Sequence, residues 1–233
     1  MRTLVIPDIH HKIAKAQAII EIESADEIVF LGDYFDNFND TPEIARATAE
    51  WLKKSLSTKG RIHLFGNHDL PYSCPNRRAY CPGYSDAKDT AINSVLTPDD
   101  WQKLKWFYFS NGVLFTHAGL DTRNFHILRK GQSLINLLEE AAQDADNKIR
   151  KGSEHHWFIN WPRNRGGNVE VGGILWQDWS EFRPIKGVCQ ICGHTPDILV
   201  RTKEKNWCLD TNLNYYGVVT DGRVEIKELA LRS

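Results

Sequence analysis

Acidic and histidine side chains recur in this sequence directly after short apolar runs. The clearest case is the run Gly66-Asn67-His68-Asp69, which follows the apolar stretch 61–65. The amide oxygen of Asn67 can ligate a hard cation, and His68 can donate a proton near neutral pH. Burying both side chains without hydrogen-bond partners would cost several kcal/mol, so packing alone does not explain why Asn67 and His68 follow an apolar strand. The residues indicate metal or proton-transfer chemistry, although Gly-Asn is also ordinary turn chemistry.

Four further apolar runs end in the same kind of residue. The groups are Asp8 and His10 after 4–6, Asp33 and Asp36 after 28–31, His117 after 113–115, and His194 after 188–192. Five such strand ends in one chain are hard to explain by packing. Asp8 and His10 are two residues apart and project to the same side of an extended backbone, so they can hold one ion together. A ligand set of Asp, His and Asn suits manganese, iron or zinc.

The elements that must position these side chains alternate along the first part of the chain. The pattern predicts strand, helix, strand, helix and strand over residues 4–6, 12–24, 28–31, 43–56 and 61–65. Thr41-Pro42 gives the second helix a capped start, with proline at the first helical position. Strands that alternate with helices favour parallel pairing, and such sheets bind ligands beyond the carboxyl ends of their strands. The polar residues fall at that edge.

The remainder of the chain predicts a second set of strands around an irregular segment. The predicted elements are a hairpin at 107–109 and 113–115, a helix over 132–150, and strands at 188–192, 198–200, 207–209, 216–219 and 224–226. Residues 155–182 are rich in tryptophan and glycine, which predicts a loop or insertion around 152–185. We expect its four tryptophans to pack the insertion, with stacking on a base or ring as the alternative. They are Trp157, Trp161, Trp176 and Trp179. No domain boundary is evident, so residues 1–233 are predicted to form a single domain.

The composition limits the classes of protein to consider. With 41% apolar and 25% charged residues in 233, the chain is expected to be a soluble globular protein with a substantial core. A net charge of −1 removes any global electrostatic argument for binding nucleic acid or a membrane. We find no signal-peptide pattern and no apolar run of membrane length. Five cysteines in such a chain predict reduced thiols and a cytoplasmic location.

Together the motifs resemble those of the calcineurin-like metallophosphoesterases. All occur in the family's order: Asp-x-His at 8–10, Gly-Asp-x-x-Asp at 32–36, Gly-Asn-His-Asp at 66–69, His117, and Gly-His-Thr at 193–195. Residues 116–120, 193–196 and 209–211 are similar to the branch that contains protein Ser/Thr phosphatases and symmetrical diadenosine tetraphosphate hydrolases. The resemblance implies a four-layer α/β/β/α sandwich, in which two mixed β-sheets are flanked by helices.

The resemblance also implies a dinuclear metal site and a role for each motif residue. Manganese is the expected metal, with iron, zinc or nickel as alternatives. The implied ligands are Asp33 between the two ions, Asp8 and His10 on one ion, and Asn67, His117 and His194 on the other. His68 would protonate the leaving oxygen and would be oriented by Asp36. A phosphate ester would be hydrolysed by direct attack of a metal-bridging hydroxide, without a covalent intermediate.

Two departures from the branch leave the substrate open. Its second acidic motif continues Asp-Arg-Gly, and that arginine binds the substrate phosphate, whereas Asp36 is followed by Asn37-Phe38. The third motif ends in Asp69 instead of the branch's usual glutamate. The arginines that could replace the clamp from loops are Arg77, Arg78, Arg163 and Arg165.

We expect a phosphatase-like enzyme that acts on a phosphorylated small molecule, a nucleotide or a phosphoprotein. A phosphodiesterase or dinucleoside polyphosphate hydrolase is the alternative within enzymes. An inactive metal-binding scaffold is a remote alternative, because the ligand set is intact. No membrane partner and no strong nucleic-acid signal is expected, and the oligomeric state stays open.

The other histidines and the cysteines have simpler expected roles. His11 is expected to be a loop residue, His63 a structural histidine with satisfied ring nitrogens, and His155 and His156 surface residues, with substrate contact as their alternative. Cys189-x-x-Cys192 is a possible zinc or redox motif, but it falls in a predicted buried strand, where cysteine behaves as a small hydrophobe. A zinc site would also need Cys74 and Cys81, whose spacing fits no familiar pattern.

Overall fold

Two mixed β-sheets of five strands each form the centre of the computed structural model, which describes residues 1–37, 39–74, 81–127, 133–153 and 155–230. The strands are β1 (Arg2–Ile6), β2 (Glu27–Phe30), β3 (Arg61–His63), β4 (Phe107–Ser110), β5 (Val113–Thr116), β6 (Cys189–Cys192), β7 (Arg201–Lys203), β8 (Asn206–Cys208), β9 (Tyr215–Thr220) and β10 (Arg223–Glu228). The strand orders are β10-β9-β1-β2-β3 and β4-β5-β6-β8-β7. The pairs β1–β2, β2–β3, β5–β6 and β6–β8 are parallel, as the alternation of strands and helices predicts for the first sheet.

Helices connect the parallel strands and cover the sheets. They are α1 (Ile13–Ile22), α2 (Pro42–Leu56), α3 (Leu70–Ser73), α4 (Asp86–Asn93), α5 (Pro98–Trp101) and α6 (Leu134–Lys148). The capped start of α2 is confirmed, because the Thr41 side chain accepts a hydrogen bond from the backbone N–H of Ile44 and Pro42 opens the helix. Across the described ranges, none of the helices has the length and apolar character needed to cross a membrane.

Alternating side chains of the strands divide between two layers of core. Val5 of β1 joins Phe115 of β5 and Ile191 of β6 in one cluster, which therefore lies between the two sheets. Leu4 and Ile6, on the other face of β1, belong to a larger cluster that includes residues of the helices. This division follows from the two-residue period of a strand. The predicted sandwich of two mixed sheets with helices outside is confirmed.

One predicted strand is wrong. Residues 198–200 form a bend, in which Ile198 is 80% exposed. The strand lies just beyond it, at Arg201–Lys203, where it pairs antiparallel with β8 at the edge of the second sheet. The apolar run misled because an exposed turn can carry apolar side chains, whereas a short edge strand needs few of them.

The tryptophan-rich segment, residues 155–182, contains no α-helix or β-strand among its described residues and is hydrogen-bonded to the loops that follow β5 and β6. The backbone N–H of Ala118 donates to the Ile174 carbonyl at 2.8 Å, and the backbone N–H of Trp179 donates to Thr195 Oγ1 at 3.1 Å. Gly173 is required where it is, because a Cβ there would lie 2.1 Å from the Trp157 carbonyl oxygen. These contacts place the segment beside the carboxyl ends of the second sheet's strands.

Candidate metal centre

The predicted ligand side chains meet in two overlapping clusters. Asp8, His10 and Asp33 offer ligand atoms that lie within 4.8 Å of one another. Asp33, His117 and His194 form the second such group. Asp33 belongs to both clusters, which join the loops after β1 and β2 to those after β5 and β6. The structure therefore brings together residues that are far apart in the chain.

Asn67 completes the second cluster through its amide oxygen. His117 Nδ1 lies 2.9 Å from the Leu31 carbonyl oxygen and donates to it, so Nε2 of the neutral ring carries no proton. Asn67 Oδ1 lies 2.9 Å from this nitrogen and 2.8 Å from His194 Nδ1. Burial lowers the pKa of both His117 and His194, which keeps the rings neutral. Neutral imidazole nitrogens and an amide oxygen that face one point suit a divalent cation.

Two atoms of the site are buried without a hydrogen-bond partner among the described residues. They are Asp8 Oδ2 and His194 Nε2. Burial, together with the charges of Asp210 and Asp33, raises the pKa of Asp8 well above its usual range. Leaving buried polar atoms unsatisfied costs about 1–3 kcal/mol each, and a cation beside Asp8 would remove the penalty for its carboxylate. The donor set therefore fits divalent metal ions.

Glycines in the motifs let the carboxylates approach the backbone. A Cβ on Gly66 would lie 2.0 Å from Asp33 Oδ1, and a Cβ on Gly193 would lie 1.8 Å from Asp8 Oδ2. Gly66 also starts a turn, since its carbonyl accepts from the backbone N–H of Asp69 at 3.3 Å. The φ angle of Gly66 is not positive, so the turn does not itself require glycine. The need for glycine comes from the close approach of Asp33.

Four predicted site residues adopt left-handed backbone conformations. Their φ values are +41° for His10, +51° for Asp33, +63° for Asp36 and +70° for His194. For residues other than glycine, such conformations cost of order 1–3 kcal/mol and cluster at functional sites. Here they turn the chain sharply at the strand ends and direct the side chains toward one another.

His68 stands beside the ligands and is paired with Asp36, as predicted. His68 Nδ1 lies 3.1 Å from Asp36 Oδ2, and its ring centroid is 5.3 Å from that of His10. The backbone N–H of His68 donates to Asp33 Oδ1 at 2.9 Å. Burial opposes the charged imidazolium, but the carboxylates of Asp33 and Asp36 outweigh it and raise the pKa of His68.

Behind this pair lies a buried ion network that sequence reasoning missed. Asp36 Oδ1 accepts from the Tyr72 hydroxyl at 2.6 Å and from Lys88 Nζ at 2.7 Å. Lys88 is 3% exposed and also donates to Asp40 Oδ2 at 2.9 Å. No signal in the sequence marks this lysine, because a lysine in a polar helix such as α4 is ordinarily exposed to water.

Asp69, which stands where the similar branch usually has glutamate, has a structural role. Its carboxylate is fully buried and accepts three backbone N–H groups, those of Asp33, Tyr34 and Gly66, each at 2.8 Å. These bonds join the loop after β2 to the loop after β3. Asp69 therefore fixes the relative position of Asp33 and the Asn67-His68 pair.

The other histidines lie outside both clusters. His11 is in a turn, as expected, and is bonded to Asp40 at 2.8 Å. The structural interpretation of His63 is confirmed, because both ring nitrogens lie 2.9 Å from hydroxyl groups. His155 is exposed, but His156 is buried, so the surface position predicted for His156 is wrong.

The cysteines supply no metal site in the described ranges. The five cysteines, all within the described ranges, form no disulfide, in agreement with the expected reduced thiols, and the candidate ligand clusters contain none of them. Cys189 and Cys192 lie at the two ends of β6, and Cys192 is buried. Cys192 therefore packs as a small apolar residue in a buried strand, as the sequence predicts.

One of the arginines considered as a phosphate clamp lies at the edge of the metal centre. Arg77 and Arg78 fall outside the described residues, and Arg163 is exposed. Arg165 donates from Nη2 to Thr195 Oγ1 at 3.2 Å and from Nε to an Asp178 carboxylate oxygen at 2.6 Å. Burial lowers the pKa of His194 most, followed by the charge of His117, and the charge of Arg165 lowers it further.

The chain is similar to known phosphoesterases in sequence pattern and in fold. The family model described as calcineurin-like phosphoesterase matches residues 1–197. A cold-active protein-tyrosine phosphatase of a psychrophilic Shewanella sp. superimposes with a TM-score of 0.65 at 16% identity, over 98% of this chain and 80% of that one. A protein serine/threonine phosphatase from Saccharomyces cerevisiae gives a TM-score of 0.52 at 13% identity, over 100% of this chain and 81% of that one. No curated protein matches the sequence.

Proposed function

The chain belongs to the calcineurin-like phosphoesterase family, and we propose that it hydrolyses phosphate monoesters at a centre of two divalent ions. As a member, it is a metal-dependent hydrolase that acts on phosphate esters. The observation that carries the dinuclear proposal is the membership of Asp33 in both ligand clusters. A carboxylate with two oxygens at the junction of two clusters suits a bridging ligand. Manganese is the proposed metal among those that suit this ligand set, which mixes carboxylate and amide oxygens with imidazole nitrogens and contains no thiolate.

In the proposed arrangement, each ion has its own ligands from this chain. Asp8 and His10 would hold one ion together with Asp33, and Asn67, His117 and His194 would hold the other together with Asp33. Divalent ions bound there would lower the pKa of water and neutralise charge on the phosphoryl oxygens. The chain contributes the rigid placement of the ligands, since the left-handed backbone and the motif glycines leave these loops little freedom.

His68 is the proposed general acid. Its Nδ1–H donates to the Asp36 carboxylate, which orients the ring and leaves Nε2–H to protonate the leaving oxygen. Ions on Asp33 would cancel part of that residue's influence on the pKa of His68. The hydrogen bond to Asp36 is therefore the contact that retains the proton, and Lys88 and Tyr72 fix Asp36 in turn.

Arg165 is the proposed substitute for the phosphate clamp that is missing after Asp36. Its guanidinium is anchored by Thr195, the residue after the ligand His194, so it stands at the edge of the ligand clusters. Two of its nitrogens make these anchoring bonds, and a guanidinium has five N–H donors in total, so donors remain for an anionic oxygen.

A metal-reconstitution assay tests the dinuclear proposal. We expect two ions per chain by elemental analysis of the wild type, and manganese-dependent hydrolysis of p-nitrophenyl phosphate. Asp33→Asn should lose both metal and activity, whereas His68→Asn should keep the metal and slow turnover by about 10²–10⁴-fold. One ion per chain in fully active protein would contradict the dinuclear centre. Full activity of His68→Asn on an ester with a poor leaving group would contradict the proton-donor role.

Bis(p-nitrophenyl) phosphate, a phosphodiester, distinguishes the proposed monoesterase from the alternative enzyme class. A phosphodiesterase or dinucleoside polyphosphate hydrolase is favoured by one observation, that Asn37 follows Asp36 where an arginine would bind a monoester dianion. Faster hydrolysis of the bis-ester than of the monoester would support that alternative. The cytoplasmic location and the single domain stay predictions, and the oligomeric state stays open.

A further inference from the structure

A cavity of about 590 Å³ adjoins the metal centre on the side of the tryptophan-rich segment. Trp176 connects the two, because its ring lines the cavity and its centroid lies 5.7 Å from that of the ligand His194, edge to face. Leu70 also lines the cavity, and it directly follows the Asn67-His68-Asp69 run in the chain. A group bound in this cavity would therefore be next to a phosphate at the ligands.

The lining combines aromatic faces with neutral hydrogen-bonding groups. Trp157 and Trp161 line the cavity beside Trp176, and Trp161 is 36% exposed. The polar lining residues include Asn160 and Asn168, whose side-chain amides make no hydrogen bond to the described residues. No Asp, Glu, Lys or Arg contributes to the described lining. The cavity thus suits an uncharged, flat ring with a polar edge.

From this geometry we propose that the cavity binds the nucleoside of a nucleotide substrate whose phosphate lies at the metal ligands. The proposal rests on the proposed function for the position of the phosphate. Nucleobases stack on tryptophan faces, and amide side chains can both donate to and accept from a base edge. The volume lies in the range of about 300–1,000 Å³ that holds whole small molecules, so there is room for more than one phenyl ring.

The backbone around the cavity is braced, so its shape is preformed. Gly167 lies so close to Trp161 that a Cβ would be 1.8 Å from the Trp161 carbonyl oxygen. The Asn160 carbonyl accepts from the backbone N–H of Gly173 at 2.9 Å. The Trp161 ring packs against Trp176, with centroids 5.1 Å apart. A preformed wall loses little conformational entropy when a ligand binds.

Calorimetric binding of adenosine to the purified protein with its metals tests the cavity without hydrolysis. Adenosine carries no phosphate, so it reports on the nucleoside site alone. We expect binding that Trp161→Ala weakens by about 5- to 150-fold, the usual effect of losing one stacking ring. Trp161→Phe, which keeps a ring, should retain most of the affinity. Phe109→Ala, which removes an exposed aromatic side chain from β4, is the matched control and should bind as the wild type does.

Hydrolysis of paired substrates separates the two proposals. Trp161→Ala should reduce kcat/KM for adenosine 5′-monophosphate by about 5- to 150-fold more than for glycerol 2-phosphate. Adenosine binding without hydrolysis of any ester would overturn the proposed function and support the cavity. Hydrolysis without adenosine binding, and with equal losses on both substrates, would overturn the nucleoside site. An equal loss on phenyl phosphate and the nucleotide would likewise overturn it, because any aromatic ring would then suffice.

Discussion

Replacing Lys88 by methionine tests whether the buried ion network behind His68 holds the site together. Lys88 Nζ lies 2.7 Å from Asp36 Oδ1 and 2.9 Å from Asp40 Oδ2, and its side chain is almost fully buried. Methionine fills similar space but cannot donate a hydrogen bond, so the buried Asp36 and the partly buried Asp40 would lose their common cation. Removing one partner from a buried ion pair costs about 3–5 kcal/mol, because an uncompensated charge remains. We expect a loss of that size in the free energy of unfolding.

The assay is urea denaturation of the wild type, Lys88→Met and a matched control, Lys103→Met. Lys103 is also paired, at 2.8 Å from Asp100 Oδ1, but its side chain is 46% exposed. Exposed pairs contribute about 0–1 kcal/mol, so the control should unfold within 1 kcal/mol of the wild type. A large difference between the two lysine variants would show that burial, and not pairing as such, sets the size of the effect.

The same variant should also slow catalysis without removing metal. Asp36 would keep its Tyr72 bond but lose Lys88, so His68 would be less firmly oriented. We expect kcat to fall by less than the roughly 10²–10⁴-fold for complete loss of the general acid. The metal content per chain should stay unchanged. If Lys88→Met unfolded within 1 kcal/mol of the wild type and kept its kcat, the reasoning about the network would be refuted.

Three further predictions concern the ligand loops, the fold and the arginine at the rim. Gly193→Ala should lower metal content and activity together, because a Cβ would lie 1.8 Å from Asp8 Oδ2; normal metal content by elemental analysis would contradict this. Burial and the Arg61 charge lower the pKa of His63 to about 3, from an ordinary 6.5, so the unfolded state binds its proton more readily. The contribution of neutral His63 to the free energy of unfolding is therefore complete above pH 6.5. It should be lost at up to about 1.4 kcal/mol per pH unit as the pH falls toward 3. His63→Gln should reduce this dependence of the unfolding free energy on pH, as measured by urea titrations at each pH. Arg165→Gln should raise KM for p-nitrophenyl phosphate about tenfold while Arg163→Gln does not, and equal KM values for the two variants would exclude the clamp.

Much of the fold and the site follows from local pattern. The strand–helix alternation predicts the parallel pairs of the first sheet, and Asn111-Gly112 predicts the hairpin of β4 and β5. Because parallel strands end at one edge, polar residues at those ends must approach one another, and the two ligand clusters show that they do. Asp221-Gly222 likewise predicts the last hairpin, which joins β9 and β10.

The missed residues depend on contacts that no local pattern records. Lys88 resembles any helical lysine until the loop carrying Asp40 folds over it. His156 belongs to a polar stretch, but it is buried and accepts from the backbone N–H of Phe158. Asp69 looks like a turn residue, and its three backbone partners come from two different loops. Burial of polar groups is decided by tertiary packing, so their sequence neighbours carry little of the information.

The left-handed backbone at the ligands places stability and activity under opposing selection. Glycine would accept the conformations of His10 and His194 without the penalty of about 1–3 kcal/mol that other residues incur there, yet it would delete a ligand. Selection of random variants for thermal resistance alone should therefore enrich glycine at these positions and yield sturdier, inactive proteins. The same glycine substitutions should disappear when variants are selected for hydrolysis. Positions that gain glycine under the first selection and lose it under the second would identify the residues of the metal centre, without any knowledge of the metal.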